Sequence, residues 1–102
     1  MAIFRLSRLA EADLMDIGVY TLRTWGPDQA LRYLADLEGT CQTLANNPGC
    51  GRLCEHIRPG LRRLEQGRHV IFYRKDAQGI LISRILHDRM LPVQNFFNDE
   101  EL

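Results

Sequence analysis

Lysine is nearly absent: of the 13 basic residues 12 are arginine, and Lys75 is the single exception. A planar guanidinium suits carboxylate or phosphate recognition better than an ammonium, although surface charge in an arginine-preferring genome gives the same bias. Long apolar runs are missing too. No stretch approaches the ~18 residues a membrane span needs, and Met1–Ser7 carries no basic segment followed by an apolar block of signal-peptide length. A cytoplasmic location without membrane association is therefore expected. Cysteine is scarce and odd in number, with Cys41, Cys50 and Cys54, so no disulfide framework is expected and the thiols should stay reduced. Cys50, Cys54 and His56 stand in C-x3-C-x-H spacing with no fourth ligand nearby, which falls short of a structural zinc site. Neither metal nor cofactor is expected. Net charge is also lacking: 13 basic residues meet 13 acidic ones, so bulk electrostatics points to neither a nucleic-acid nor a membrane-surface protein.

What is present fits one domain. In 102 residues, 45% are hydrophobic and 25% charged, the balance of a single globular unit. A chain this small has little margin for a deep enclosed site, so function should sit on a surface or in a shallow groove. The charge is unevenly placed. Residues 1–51 hold four Arg and six acids, residues 52–89 hold nine basic and four acidic residues, and residues 90–102 hold three acids alone. A basic segment thus precedes an acidic tail, residues 93–102.

Ile3-Phe4-Arg5-Leu6 reads as a short strand, and Ser7 as the N-cap of a helix starting near Arg8. Ala10, Leu14, Ile17 and Thr21 make its apolar stripe, and the helix ends near Trp25. Gly26-Pro27, with Asp28 close behind, starts a second helix. In it Ala30, Tyr33, Leu34, Leu37, Cys41 and Leu44 recur at offsets 0, 3, 4, 7, 11 and 14, the strongest periodicity in the chain. Residues 48–60 hold three Gly and two Pro and read as a connecting loop. The period then changes to two. Leu61–Glu65, His69–Arg74 and Ile80–His87 read as strands, with turns at 66–68 and 76–79, and Lys75 is placed in a turn. The order β-α-α-β-β-β predicts an α+β fold, an N-terminal strand and helical hairpin packed on a twisted antiparallel sheet.

Leu6-Ser7 before Ala10 and Asp13-Leu14, Trp25-Gly26 with Gln29-Ala30, Leu44-Ala45 with Pro48, and Gly51-Arg52 follow a pattern in which the chain resembles the toxins of the RelE/ParE superfamily. Arg58-Pro59-Gly60-Leu61-Arg62-Arg63, His69–Arg74 and Arg84-Ile85-Leu86-His87-Asp88-Arg89-Met90 resemble the ParE branch in particular. The likeness covers about residues 3–92. It implies a toxin of a type II toxin-antitoxin system of the kind used in plasmid maintenance, one that inhibits DNA gyrase and is neutralised by a ParD-like antitoxin. Nucleic acid would be touched directly only within a gyrase–DNA complex. The same fold hosts a different activity: the RelE-like branch cleaves messenger RNA on the ribosome, and a degenerate member would keep antitoxin binding alone.

RNA cleavage needs groups that activate the 2′-hydroxyl, protonate the leaving oxygen and stabilise phosphate charge. The candidates are Arg62, Arg74, Arg84 and His87. Ribonuclease members carry a Tyr near the end of the last strand or further Lys in the sheet, and here no Tyr or Lys follows His87. The resemblance therefore favours a gyrase inhibitor that is not a catalyst, with Arg63, Arg84, His87 and Arg89 as target-binding residues. On its own His87 reads rather as a strand-end residue hydrogen-bonding a loop carbonyl, and His56 and His69 carry weaker signals. Arg62 and Arg63 must point to opposite faces of their strand. An amphipathic antitoxin segment is expected on Tyr33, Leu34, Leu37, Ile71 and Phe72, residues that equally suit a core. Phe96 and Phe97 in the tail read as target contacts or as packing against the domain.

Overall fold

A four-residue strand, Ile3–Leu6 (β1), runs into Ser7, whose side-chain oxygen accepts the Ala10 N–H at 3.0 Å. That bond satisfies one of the orphan donors at a helix start, and α1 follows over Arg8–Trp25. Gly26 then turns the chain at φ +93°, a conformation that favours glycine. Pro27 opens α2, Pro27–Asn46. The computed structural model describes residues 2–90 and Phe97, and it contains the expected helical hairpin. Of the expected stripes, Ala10, Ile17 and Thr21 on α1 and Ala30, Leu37, Cys41 and Leu44 on α2 are buried, whereas Leu14, Tyr33 and Leu34 are half-buried.

Four further strands complete the α+β fold: Arg52–Leu53 (β2), Arg62–Gln66 (β3), His69–Asp76 (β4) and Gly79–His87 (β5). They form one sheet in the order β1-β5-β4-β3-β2. The meander β3-β4-β5 is antiparallel as expected, but the sheet is mixed, because β1 lies parallel to β5. The segment expected to be loop holds β2, which pairs Arg52 with Arg63 and Leu53 with Arg62. Lys75, expected in a turn, lies instead within β4.

The two faces of the sheet build separate cores. Ile71, Tyr73, Ile80, Ile82 and Ile85 pack with Ala10, Ile17, Leu37, Cys41 and Leu44 beneath the helices. On the other face Val70, Phe72 and Leu86 pack with Cys54, Ile57, Leu61 and Phe97. Successive strand residues alternate faces, so the neighbours Ile71 and Phe72 serve different cores. Phe97 meets Phe72 edge-on with ring centroids 5.1 Å apart, and its carbonyl accepts a bond from Arg58. Of the two tail phenylalanines, Phe97 is thus packed against the domain, and Phe96 lies outside the described residues, as does the rest of the acidic tail.

One irregularity positions the candidate site. In the β4–β5 ladder Tyr73 pairs with Ile82 but Phe72 pairs with Arg84, so Ser83 is an extra residue on β5. Such a bulge shifts the register of all that follows. His69 consequently pairs with His87; a regular ladder would place it opposite Leu86.

Candidate functional site

The open ends of β4 and β5 face the tip of the helical hairpin across a cleft of about 910 Å³. Tyr20, Trp25 and Tyr33 from the helices and Arg68, His69, His87 and Arg89 from the strand ends are among its walls. Tyr33 is the organising group. Its hydroxyl accepts the Arg68 N–H at 3.1 Å and lies 2.6 Å from His69 Nδ1 and 3.3 Å from the Gln66 carbonyl. Gly67 at the turn has φ +59°, and a Cβ there would stand 2.7 Å from the Tyr33 ring. Only glycine satisfies both the backbone and that close approach. Thr40 adds a bond of 2.6 Å to the Gln66 side chain, so α2 holds the β3–β4 turn at two points.

The histidines sit edge to face with centroids 5.4 Å apart. Burial, and then neighbouring His87, push the His69 pKa down, which keeps its imidazole neutral at pH 7. Burial pushes the Tyr33 hydroxyl up against the opposing pull of its bond from Arg68. His87 Nδ1 accepts the Arg89 backbone N–H at 3.1 Å, and Asp88 Oδ1 stands 3.1 Å from the same nitrogen. His87 is therefore a strand-end residue bonded to its following loop, through a backbone N–H and not the carbonyl expected. A tyrosine does join it, from α2 through His69 rather than from the last strand. No sequence spacing links Tyr33, His69 and His87; only the register and the helix packing do.

Arg84 lines the cleft with its guanidinium committed to Asp13 of α1. Nε and Nη2 reach the two carboxylate oxygens at 2.7 Å each, and Asp13 also accepts the Ile85 N–H at 2.9 Å. The bond to Asp13 raises the Arg84 pKa. The other sequence-singled arginines lie elsewhere. Arg62 bonds the Gly51 carbonyl at 2.6 Å, fastening a loop whose Gly51 N–H and Pro48 carbonyl both meet the Tyr73 hydroxyl at 2.8 Å. Arg63 pairs with Glu65 at 3.2 Å at the sheet margin, where Arg52 meets the same carboxylate at 2.8 Å. Arg74 lies on β4 and is not among the cleft residues. Of the four candidate nucleolytic residues, the cleft therefore gathers Arg84 and His87. Of the four candidate target-binding residues it gathers Arg84, His87 and Arg89, and Arg63 is apart. Among the described residues no three His, Cys, Asp or Glu side chains gather as a metal would require.

A second concavity runs along the outer side of the hairpin, between α1 and α2. It measures about 1170 Å³ and is almost wholly apolar, with Leu14, Gly18, Leu34 and Leu37 in its walls and Met15 and Leu31 exposed beside them. Gly18 lets the helices approach, since a Cβ there would lie 3.4 Å from Leu34. Val19 and Leu22 extend the exposed stripe, and Glu11 and Glu38 mark its rim. Of the five side chains expected to bind an antitoxin, Leu34 and Leu37 line this groove, but Leu37 is 1% exposed and belongs to the core beneath the helices, which leaves Leu34 at the groove surface. Tyr33 points into the cleft on the other side, and Ile71 and Phe72, 0% and 2% exposed, are enclosed beneath opposite faces of the sheet. Met15, Val19, Leu22 and Leu31 were missed from sequence, where apolar residues off the main stripe give no sign that they surround a groove.

The comparisons with known proteins agree with this architecture. The family described as ParE toxin of type II toxin-antitoxin system, parDE, matches residues 4–92. The chain is 43% identical over 90 residues to Toxin ParE1 of Caulobacter vibrioides, covering 88% of this chain and 93% of the relative. It is 37% identical over 91 residues to Toxin ParE of Escherichia coli, covering 88% of each. A solved structure described as the chromosomal ParDE TA system from P. aeruginosa superposes with a TM-score of 0.71 at 31% identity, over 85% of this chain and 96% of that one. No helix among the described residues is long and apolar enough to cross a membrane. With nearly its whole folded length matched in sequence and in shape, the chain belongs to the ParE toxins of type II toxin-antitoxin systems.

Proposed function

We propose that this toxin arrests growth in the cytoplasm by binding DNA gyrase, and that a ParD-like antitoxin neutralises it through the groove of the helical hairpin. The observation that carries the antitoxin half is the exposed apolar groove itself, flanked by Met15, which is 72% exposed, and Leu31, 69% exposed. A small soluble domain gains nothing in stability from such a surface, whereas an amphipathic helix docks into one by its apolar face. The acidic rim, Glu11 and Glu38, favours a segment with Lys or Arg beside its apolar face. The dispersal of the candidate nucleolytic groups supports a binding rather than a cleaving toxin. Arg62 fastens a loop and Arg84 is held by Asp13.

The antitoxin half is tested by co-expression and by titration with the antitoxin. Met15→Glu and Leu31→Glu change exposed side chains, so the toxin stays folded and toxic. Each should weaken antitoxin binding by about 2 kcal/mol, close to 30-fold, as for a central contact of an interface. Unchanged affinity for both folded variants would place the antitoxin elsewhere.

A further inference from the structure

We propose that the toxin grips gyrase itself with the tip of its helical hairpin, the Trp25 and Tyr20 rings being the anchors of a protein–protein contact. The inference rests on the gyrase reading and adds where the contact is made and with what chemistry. The fold does not use these rings. Both lie off the buried stripe of α1, Trp25 as its last residue, and they are 63% and 66% exposed. Among the described residues neither the Trp25 indole N–H nor the Tyr20 hydroxyl has a hydrogen-bond partner, and neither ring meets another. Met90, 43% exposed, joins them at the same cleft from beyond β5. Alanine or glutamate would suit an exposed helix position better, whereas tryptophan and tyrosine are the side chains that dominate protein interfaces. A buried indole or phenol also takes an acceptor. The complementary surface is therefore an apolar pocket on gyrase that carries carbonyl or carboxylate oxygens.

The anchors are held rigid. Gly26 donates to the Leu22 carbonyl at 3.0 Å and accepts the Ala30 N–H at 3.0 Å, so the turn behind Trp25 is fixed from both helices. Docking then orders little backbone, which leaves more of the contact energy as affinity. Charge separates a protein from a nucleic acid as the occupant. Arg84 and Asp13 are paired with each other, and Arg68 and Arg89 stand with Asp16 and with Asp88 beside His87. The rim thus has no surplus of cations, which a phosphate backbone requires, while charges of both signs orient a protein partner. The antitoxin groove lies on the other side of α1. Val19 and Leu22 line that groove and Tyr20 lines the cleft, so the two partners address different side chains of one helix.

The test titrates the whole chain, with a dye on the exposed Cys50 thiol, against DNA-free gyrase by anisotropy. Half-inhibition of supercoiling and affinity for the antitoxin are measured beside it. Trp25→Ala is expected to weaken gyrase binding about 30-fold and Tyr20→Ala about tenfold, as for central anchors, with the inhibitory concentration rising in step. Trp25→Phe keeps a ring without the N–H and should lose about threefold. Thr24→Ala, at an exposed residue of the same turn that lines neither concavity, should change nothing. All four variants should keep the wild-type circular dichroism and antitoxin affinity. Unchanged gyrase affinity in folded Trp25→Ala and Tyr20→Ala would overturn this inference and leave the gyrase reading intact, whereas a wild-type chain that neither binds nor inhibits gyrase would overturn both. A loss confined to antitoxin affinity, to binding of single-stranded DNA or to self-association would assign the rings to that partner and equally overturn the inference.

Discussion

Replacing Asp13 tests how the toxin closes the free edge of its sheet. β1 ends at Leu6, opposite Ile82, while β5 continues to His87. Beyond that point the outer edge of β5 is covered by the start of α1. The Ser7 N–H bonds the Ile82 carbonyl at 3.0 Å, its hydroxyl bonds the Ser83 carbonyl at 2.8 Å, and Asp13 takes the Ile85 N–H and the Arg84 guanidinium. The Arg84 and Asp13 side chains are 15% and 13% exposed. Asp13→Ala removes the carboxylate from a largely buried arginine and the acceptor from a backbone N–H. Breaking such a pair on one side costs about 3–5 kcal/mol, and the residual exposure sets the expectation at about 3 kcal/mol. For a domain of this size that lowers Tm by roughly 12–24 °C. Urea unfolding at pH 7, followed by circular dichroism, measures it. Asp13→Asn keeps an oxygen for Ile85 but no charge and should lose less, about 2 kcal/mol. The double replacement Asp13→Leu with Arg84→Met should recover much of the loss, with a coupling of at least about 2 kcal/mol. A loss below about 1 kcal/mol for Asp13→Ala would refute the edge-closing role.

Two further results are expected. His69 has a folded-state pKa below its ordinary 6.5, so the unfolded chain binds its proton more readily. The stability this contributes is present above about pH 6.5 and is lost as pH falls through the folded value. Urea midpoints between pH 7.5 and 5 should show a decline that His69→Gln flattens, and an equal decline in that variant would contradict the assignment. The thiols should divide sharply on native alkylation at pH 8 with mass detection. Burial holds the Cys41 pKa up at about 12 and raises that of buried Cys54, whereas Cys50 is exposed. Cys50 alone should label quickly, and labelling of Cys41 at a similar rate would contradict the packing of α2.

Local chemistry made much of the fold legible. Ser7 as a cap, Gly26-Pro27 as a break and the stripe of α2 are short-range signals, and each appears in the structure where the sequence places it. The sheet order is not short-range. A period of two marks a strand but does not name its neighbour, so the parallel pairing of β1 with β5, about 76 residues apart in register, was out of reach. The two-residue β2 was too brief to show a period. The cleft was half legible: His87 and Arg89 stood out, but Tyr33 read as one more apolar-stripe residue and His69 as a strand residue. Their meeting depends on the extra residue Ser83, which shifts the ladder by one, and on Tyr33 lying where α2 crosses the β3–β4 turn. Arg84 carried a target-binding expectation because its partner, Asp13, lies 71 residues away. Sequence alone does not tell a ligand-facing arginine from one already paired.

The central claim is that this ParE toxin acts on gyrase, and a supercoiling reaction addresses it most directly. Purified, antitoxin-free chain, with its fold checked by circular dichroism, is added to gyrase, relaxed plasmid and ATP. Both lost supercoiling and linear DNA are scored on a gel. The account predicts that supercoiling falls and that linear DNA accumulates with toxin concentration, both prevented by the antitoxin. Unchanged supercoiling by the folded toxin at concentrations well above that of gyrase would contradict it.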